Sequence, residues 1–205
     1  MAIDAHVLQT LKPQPYAALR GEVRDGDILL CSATDGFSRL IRWATKSPWS
    51  HVALAYRLDE VDRVLVLECV DKIGVRAVPL STFLARTSSG TSPYPGQILL
   101  ARHTGLAAKS RARPWTKMAA FAFERLGDRF SGAEIVKIGL RIALGRFRRK
   151  MPKSLGPKDE YICSEYVARC FHTIGLEIPW DGLGFVAPAD IANAPRVEAV
   201  ALFKT

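Results

Sequence analysis

The spacing of apolar residues along this chain changes period midway. Up to residue 102 it favours strands. The turn Arg24-Asp25-Gly26-Asp27 leads into a continuous apolar run, Ile28-Leu29-Leu30-Cys31. His51–Tyr56 and Val64–Val70 are two further strands, separated by a charged turn carrying Asp59, Glu60, Asp62 and Arg63. Gly74–Val78 lies close enough behind to pair with Val64–Val70 as a hairpin, and Gln97–Arg102 is the last strand of the series. One helix interrupts them: Phe37, Leu40, Ile41 and Ala44 recur at i, i+3, i+4 and i+7, with Asp35 as cap and Ser47-Pro48-Trp49-Ser50 as the end. Pro79 and a helix-like Leu80–Arg86 close the section, and residues 87–96, rich in Ser, Thr, Gly and Pro, read as a surface loop.

From residue 114 the period is helical. Helices are expected over 114–126, 131–144, 163–174 and 188–194, with Pro114 and Pro188 suited to first turns. Residues 1–20 read as a lead-in, a short helix broken by Pro13 and Pro15, and 145–158 as a basic loop. The sequence shows no internal repeat. Strands first and helices later, with connections short enough for antiparallel pairing, predict an α+β fold in one domain over 1–205.

Composition adds a charge bias. The 48% hydrophobic content suits a globular core, while 29 Lys+Arg against 20 Asp+Glu give a net charge of +9. This excess predicts attraction to an anionic surface such as a wall polymer, acidic lipid or nucleic acid, with the basic segment 141–153 as the contact; simple solubility is the alternative. The four cysteines form no CxxC pair and no zinc-ligand spacing, so no metal or organic cofactor is called for. Cys31 and Cys69 fall in strands and read as small buried residues, which fits a reducing compartment. The N-terminus lacks the features of a secretory signal and no apolar run reaches about 18 residues, so a cytoplasmic location without a membrane span is expected.

Three residues suggest chemistry. Cys163 opens a helix, where the backbone dipole favours a thiolate and the first-turn N–H groups are open to an oxyanion. It shares a face with Val167, Cys170, Phe171 and Ile174, so it is either a small core residue or a nucleophile at the core rim. His51 starts a strand whose His51, Ala53 and Ala55 face carries only small neighbours, leaving space for a facing element such as the Cys163 helix. Glu68 interrupts the apolar Val64–Val70; it is either solvated at a strand end or held by a partner such as a histidine N–H. Neighbouring strands would set His51 and Glu68 on one face about 5 Å apart. His6 lies in the lead-in, His103 follows a strand into a loop, and His172 points away from Cys163.

Gly26-Asp27-Ile28-Leu29-Leu30, Ser47-Pro48-Trp49-Ser50-His51-Val52, Leu67-Glu68-Cys69-Val70 and Tyr161-Ile162-Cys163-Ser164-Glu165-Tyr166-Val167 together resemble the circularly permuted papain-like (NlpC-type) cysteine peptidase and amidase superfamily, in particular its YaeF/YiiX-type branch. Lecithin–retinol acyltransferases are more distant relatives. The resemblance implies a half-barrel of antiparallel strands packed on helices. It implies Cys163 as nucleophile, His51 as general base and acid, and Glu68 as the residue orienting His51. Where relatives often place an aromatic directly before the cysteine, this chain has Ile162, with Tyr161 one step earlier; the backbone N–H of Cys163 is therefore the oxyanion donor expected here.

The function expected is thiol-dependent hydrolysis of a small peptide-like or acyl-amide bond through a thioester. Two alternatives use other signals: a lipid acyl hydrolase or acyltransferase with the same residues, or a non-enzymatic basic module binding an anionic polymer through Arg141, Arg146, Arg148, Arg149, Lys150 and Lys153.

Overall fold

A computed structural model describes residues 3–85, 93–108, 114–130, 160–179 and 186–205. The expected helix over 131–144, the basic loop over 145–158, the cationic residues of 141–153 and most of the 87–96 loop lie outside the described residues.

Every expected strand forms: β2 (Ile28–Ala33), β3 (His51–Leu58), β4 (Arg63–Val70), β5 (Gly74–Pro79) and β6 (Gly96–His103). Two more join them, β1 (Pro13–Gln14) and β9 (Val197–Phe203), in one open seven-stranded sheet of order β1-β9-β6-β2-β3-β4-β5. All neighbours are antiparallel except β1 and β9. A two-residue parallel ladder, β7 (Arg129–Phe130) with β8 (Glu160–Tyr161), stands apart. β9 corrects the expectation that only helices follow residue 114. In Val197-Glu198-Ala199-Val200-Ala201-Leu202-Phe203 only the two valines and the phenylalanine favour a strand, but its backbone pairs on both sides, with β6 and β1.

The helices are α1 (Ala5–Thr10), α2 (Tyr16–Leu19), α3 (Gly36–Thr45), α4 (Leu80–Ala85), α5 (Gly105–Ala108), α6 (Pro114–Glu124), α7 (Cys163–His172) and α8 (Pro188–Ala192). They cover both faces of the sheet. On one, Ile28, Leu30, Val52, Leu54, Leu67 and Cys69 meet Met118 and Ala122 of α6 and Tyr166, Val167, Cys170 and Phe171 of α7. On the other, Leu29, Cys31, Ala53, Ala55, Val64 and Val66 meet Leu80, Phe83 and Leu84 of α4. This double cover explains why β2 is apolar without alternation. Each fully buried large apolar side chain contributes about 1.5–3 kcal/mol.

The Gly26-Asp27 motif is structural. Gly26 holds φ at 76°, a left-handed turn that L side chains resist, and a β-carbon there would meet Met118 and Leu106. Buried Asp27 accepts the Arg24 N–H at 2.8 Å and a two-pronged Arg102 fork at 2.7 Å per prong. The turn thus launches β2 in fixed register.

Helix α3 forms where its spacing predicts, with the expected cap. Asp35 caps it, its carboxylate accepting the Ser38 N–H at 3.0 Å and the Ser38 hydroxyl at 2.6 Å. Yet the apolar face does not pack inward: Ser38 is buried, Ile41 and Ala44 are half-buried, and Leu40 and Trp43 are 42% and 70% exposed. Arg42 reaches back to the Ala33 carbonyl at 3.2 Å, so polar groups hold the inward side.

Candidate active site

His51 enters β3 from a clamped segment. The indole N–H of buried Trp49 donates to the Ile3 carbonyl at 2.6 Å. The Ser50 hydroxyl accepts the Ala33 N–H at 3.0 Å, and the Ser50 N–H donates to the Cys31 carbonyl at 2.9 Å. These bonds fix the first residue of β3 beside the last turn of β2.

Pairing between β3 and β4 runs from Leu58–Arg63 to Leu54–Leu67 and stops there. Ala55 bonds to Asp27 on the β2 side, so by alternation Val52 turns its N–H toward β4, where the strands have parted. That N–H donates to the Cys163 sulfur, as does the N–H of Ser164. The start of α7 therefore sits at the opening between the two strands.

This corrects the expected approach of the cysteine helix. His51 and Glu68 lie on the face that carries Ala53, Ala55 and Val66, which α4 covers; α7 packs on the opposite face, against Val52 and Cys69. The small residues beside His51 admit α4 instead. The thiol still meets the imidazole, because the parted strands let them join at the sheet's rim: Cys163 and His51 share a hydrogen bond.

The N-terminal end of α7 is held by its own motif. The Ser164 hydroxyl donates to the Val186 carbonyl at 2.6 Å, and the Tyr166 hydroxyl to the Ala122 carbonyl of α6 at 2.9 Å. Cys163 itself is half-buried, while Val167, Cys170 and Phe171 are fully enclosed, as the helical spacing predicts.

Glu68 is buried, and both its oxygens are engaged. Oε2 meets His51 Nε2 at 2.7 Å, leaving Nδ1 for the thiol. Oε1 accepts from Arg76 Nε at 2.8 Å and Nη2 at 2.6 Å. Sequence reasoning placed Arg76 in a strand but missed its role. The signal was present: Glu68 and Arg76 are equidistant from the β4–β5 turn and fall directly opposite in the hairpin.

The electrostatics favour an ion pair. Burial pushes the Cys163 thiol up, but the His51 imidazolium and the N–H donors of Val52 and Ser164 outweigh it and hold the thiol below its usual range. Burial alone would lower His51; Cys163 and Glu68 reverse this and raise it. Glu68 is raised by burial and then brought below the ordinary carboxylate range by His51 and Arg76. Cys31, Cys69 and Cys170 are all pushed up by burial, so Cys163 is the one cysteine whose thiolate is favoured.

Cys163, His51, Glu68 and Arg76 open onto a cleft of about 380 Å³ walled by Asp35, Ser38 and Ile41 of α3, with Phe83, Tyr94 and Phe130. The remaining histidines lie elsewhere. His6 is exposed in α1, and His172 is exposed and bonded to Glu177 at 2.6 Å. His103 ends β6 and is buried, not carried into a loop: its ring lies 5.3 Å from that of Phe171, and its Nδ1 accepts the Gly105 N–H. Of Tyr161 only the backbone, in β8, is described.

Residues 22–132, more than half the chain, match the family described as permuted papain-like amidase enzyme, YaeF/YiiX, C92 family. The match includes His51, Glu68 and Arg76 and ends before Cys163. A solved structure, described as the crystal structure of metalloprotein yiiX from Escherichia coli O157:H7, is similar at a TM-score of 0.60 and 19% identity, over 87% of this chain and 96% of that one. No curated protein matches the chain. With the α+β sheet, open on one side and packed by helices, these likenesses establish a permuted papain-like fold. The chain belongs to the permuted papain-like amidase family of the YaeF/YiiX type, and with it to the thiol hydrolases.

Proposed function

We propose that this protein is a cysteine amidase that cleaves a small peptide-like or acyl-amide bond with Cys163 as nucleophile, His51 as general acid and base, and Glu68 orienting the ring. The observation that carries this reading is the unbroken line of contacts from the Cys163 sulfur through His51 to Glu68, at a helix N-terminus open to a cleft. The Cys163 thiolate attacks the carbonyl carbon, and the carbonyl oxygen takes the displaced electron pair. The Cys163 backbone N–H, among the first-turn donors a helix leaves open, stabilises that oxyanion. The intermediate collapses as the His51 imidazolium gives its proton to the leaving amine, and a thioester on Cys163 remains. Neutral His51 then takes a proton from water, whose oxygen attacks the thioester. The acid departs and the thiolate–imidazolium pair is restored. Glu68, itself fixed by Arg76, holds the imidazole and balances its charge throughout.

The structural neighbour is described as a metalloprotein. In this chain the donors of the cleft do not suit a metal: Glu68 spends one oxygen on His51 and the other on Arg76, and among the described residues no group of three His, Cys, Asp or Glu side chains could hold an ion. A lipid acyl substrate is the second reading, favoured by the exposed Leu40 and Trp43 on the helix that walls the cleft.

The test is acyl trapping. Mixed with an activated acyl ester and quenched, the wild-type protein gains one acyl mass, mapped to Cys163, and Cys163→Ala gains none. Amide or ester turnover that survives Cys163→Ala would refute the proposal.

A further inference from the structure

We propose that the outward face of α3 docks on an anionic phospholipid bilayer. This helix is amphipathic, yet it turns a serine inward and two large apolar residues outward: Ser38 is buried, while Leu40 is 42% and Trp43 70% exposed. At 100° per residue, Leu40 and Trp43 lie within one narrow sector of the helix, with Arg39 on its flank. A shallow groove of about 600 Å³ beside Trp43 adds Arg42 and Lys46. The acids nearby are committed elsewhere: Asp4 caps α1 through the N–H groups of His6 and Val7, and Asp35 holds Ser38 on the cleft side.

An apolar centre ringed by cations fits a surface that is apolar below and negative above. Tryptophan and leucine enter the boundary between headgroups and acyl chains, and arginine and lysine meet the phosphates. The chain's net charge of +9 adds long-range attraction of the same sign. Because Ser38 and Ile41 of this helix line the catalytic cleft, docking by α3 brings the cleft mouth to the bilayer surface.

The experiment is vesicle co-sedimentation of the full chain with phosphatidylcholine alone and with phosphatidylcholine mixed with phosphatidylglycerol. Binding is expected only to the anionic vesicles and falls with added salt. The double change Leu40→Ser, Trp43→Ser lowers the partition on the order of tenfold or more. Arg39→Gln and Lys46→Gln each lower it about fivefold. Brominated lipid quenches wild-type fluorescence more than that of Trp43→Phe. Unchanged thermal midpoints and unchanged Cys163 alkylation show that the variants fold. Cys163→Ala binds like wild type, so the outcome is separate from the amidase reading. The proposal is overturned if the wild type ignores anionic vesicles. It also fails if the α3 variants bind undiminished while Arg146→Glu, Arg148→Glu and Arg149→Glu together abolish binding. A change in oligomeric state with vesicle binding intact would assign the face to a second copy of the chain and overturn it equally.

Discussion

Helices α3 and α7 carry the same sequence signature and meet opposite fates. Both place apolar residues at i, i+3, i+4 and i+7 spacings, and both wall one cleft. In α7 the face closes completely: Val167, Cys170 and Phe171 are sealed against the sheet and Ile174, just beyond, is almost so. In α3 the corresponding face is open at Leu40 and Trp43. The difference lies in the polar anchors. The hydroxyls of Ser164 and Tyr166 tie α7 to Val186 and to α6, and both bonds draw its apolar side inward. The anchors of α3, Ser38 on Asp35 and Arg42 on the Ala33 carbonyl, draw its polar side inward instead. Periodicity defines a face; short side-chain bonds to neighbouring backbone decide which way it turns.

The largest effect expected at this pair of helices is chemical. Cys163→Ala should lower amide turnover at least about ten-thousandfold, since the nucleophile is then absent, whereas Trp43→Ala should leave turnover of a small soluble amide within about twofold. Steady-state kinetics of both variants on one soluble substrate checks this. Equal losses would mean that α3 belongs to the chemical machinery and the contrast drawn here is misplaced. The next effect is on stability. Phe171→Ala empties a sealed site on α7 and should cost about 3–5 kcal/mol in urea unfolding. A cost below about 1 kcal/mol would show that the α7 face is far less tightly packed than its burial implies.

Much of this contrast was legible in the sequence, and the remainder has identifiable physical reasons. Each strand from Ile28 to Arg102 announced itself by apolar runs between turns, and the Cys163 face by helical spacing. The contact of His51 with Glu68 was one of two readings the sequence left open, since a carboxylate inside an apolar strand is either solvated at its end or held by a partner. Three things did not follow. β9 mixes Val and Phe with Glu and Ala behind a helical region, so its pattern does not stand out, and it gains its place from tertiary pairing with β6 and β1. The parting of β3 from β4 after Leu54, which lets a thiol on one side of the sheet reach a histidine on the other, leaves no mark in the spacing of side chains. Arg76 stood opposite Glu68 in the expected hairpin, but nothing in the spacing says that one buried carboxylate takes a histidine and an arginine together.

Arg76 gives a sharper test of the α7 site, with a smaller effect. Arg76→Gln removes one of the two cations that hold Glu68 low. The carboxylate is then a weaker partner for the His51 imidazolium, and that imidazolium is what keeps the Cys163 thiol below its usual range. The sign follows: the thiolate fraction of Cys163 is lost as pH falls through its lowered pKa, so raising that pKa moves the acid limb of alkylation to higher pH. Wild-type Cys163 should react with iodoacetamide below the pH of about 8.5 at which ordinary thiols titrate, and Arg76→Gln should need a higher pH. Turnover should fall on the order of tenfold to a hundredfold, the worth of a hydrogen bond to a charged group. Arg76→Lys should restore part of it. A profile that does not move in Arg76→Gln would reduce Arg76 to a structural brace of the hairpin.

The smallest effect is the one that separates the two helices most cleanly. If the α3 face is open in the folded chain, Leu40→Ser and Trp43→Ser remove only the part of each side chain that folding covers. Each should change the unfolding free energy by no more than about 1.5 kcal/mol, below the cost of emptying a sealed site. On α7 a polar residue at Val167 or Phe171 leaves an unpaired polar group in a sealed core as well as a cavity, and costs several kcal/mol. Urea unfolding of Leu40→Ser beside Val167→Ser reads both sides of the comparison in one experiment. A loss above about 2 kcal/mol at Leu40 would mean that the folded chain itself covers this face. The open helix would then be a second closed one, and a lipid surface would have nothing left to meet.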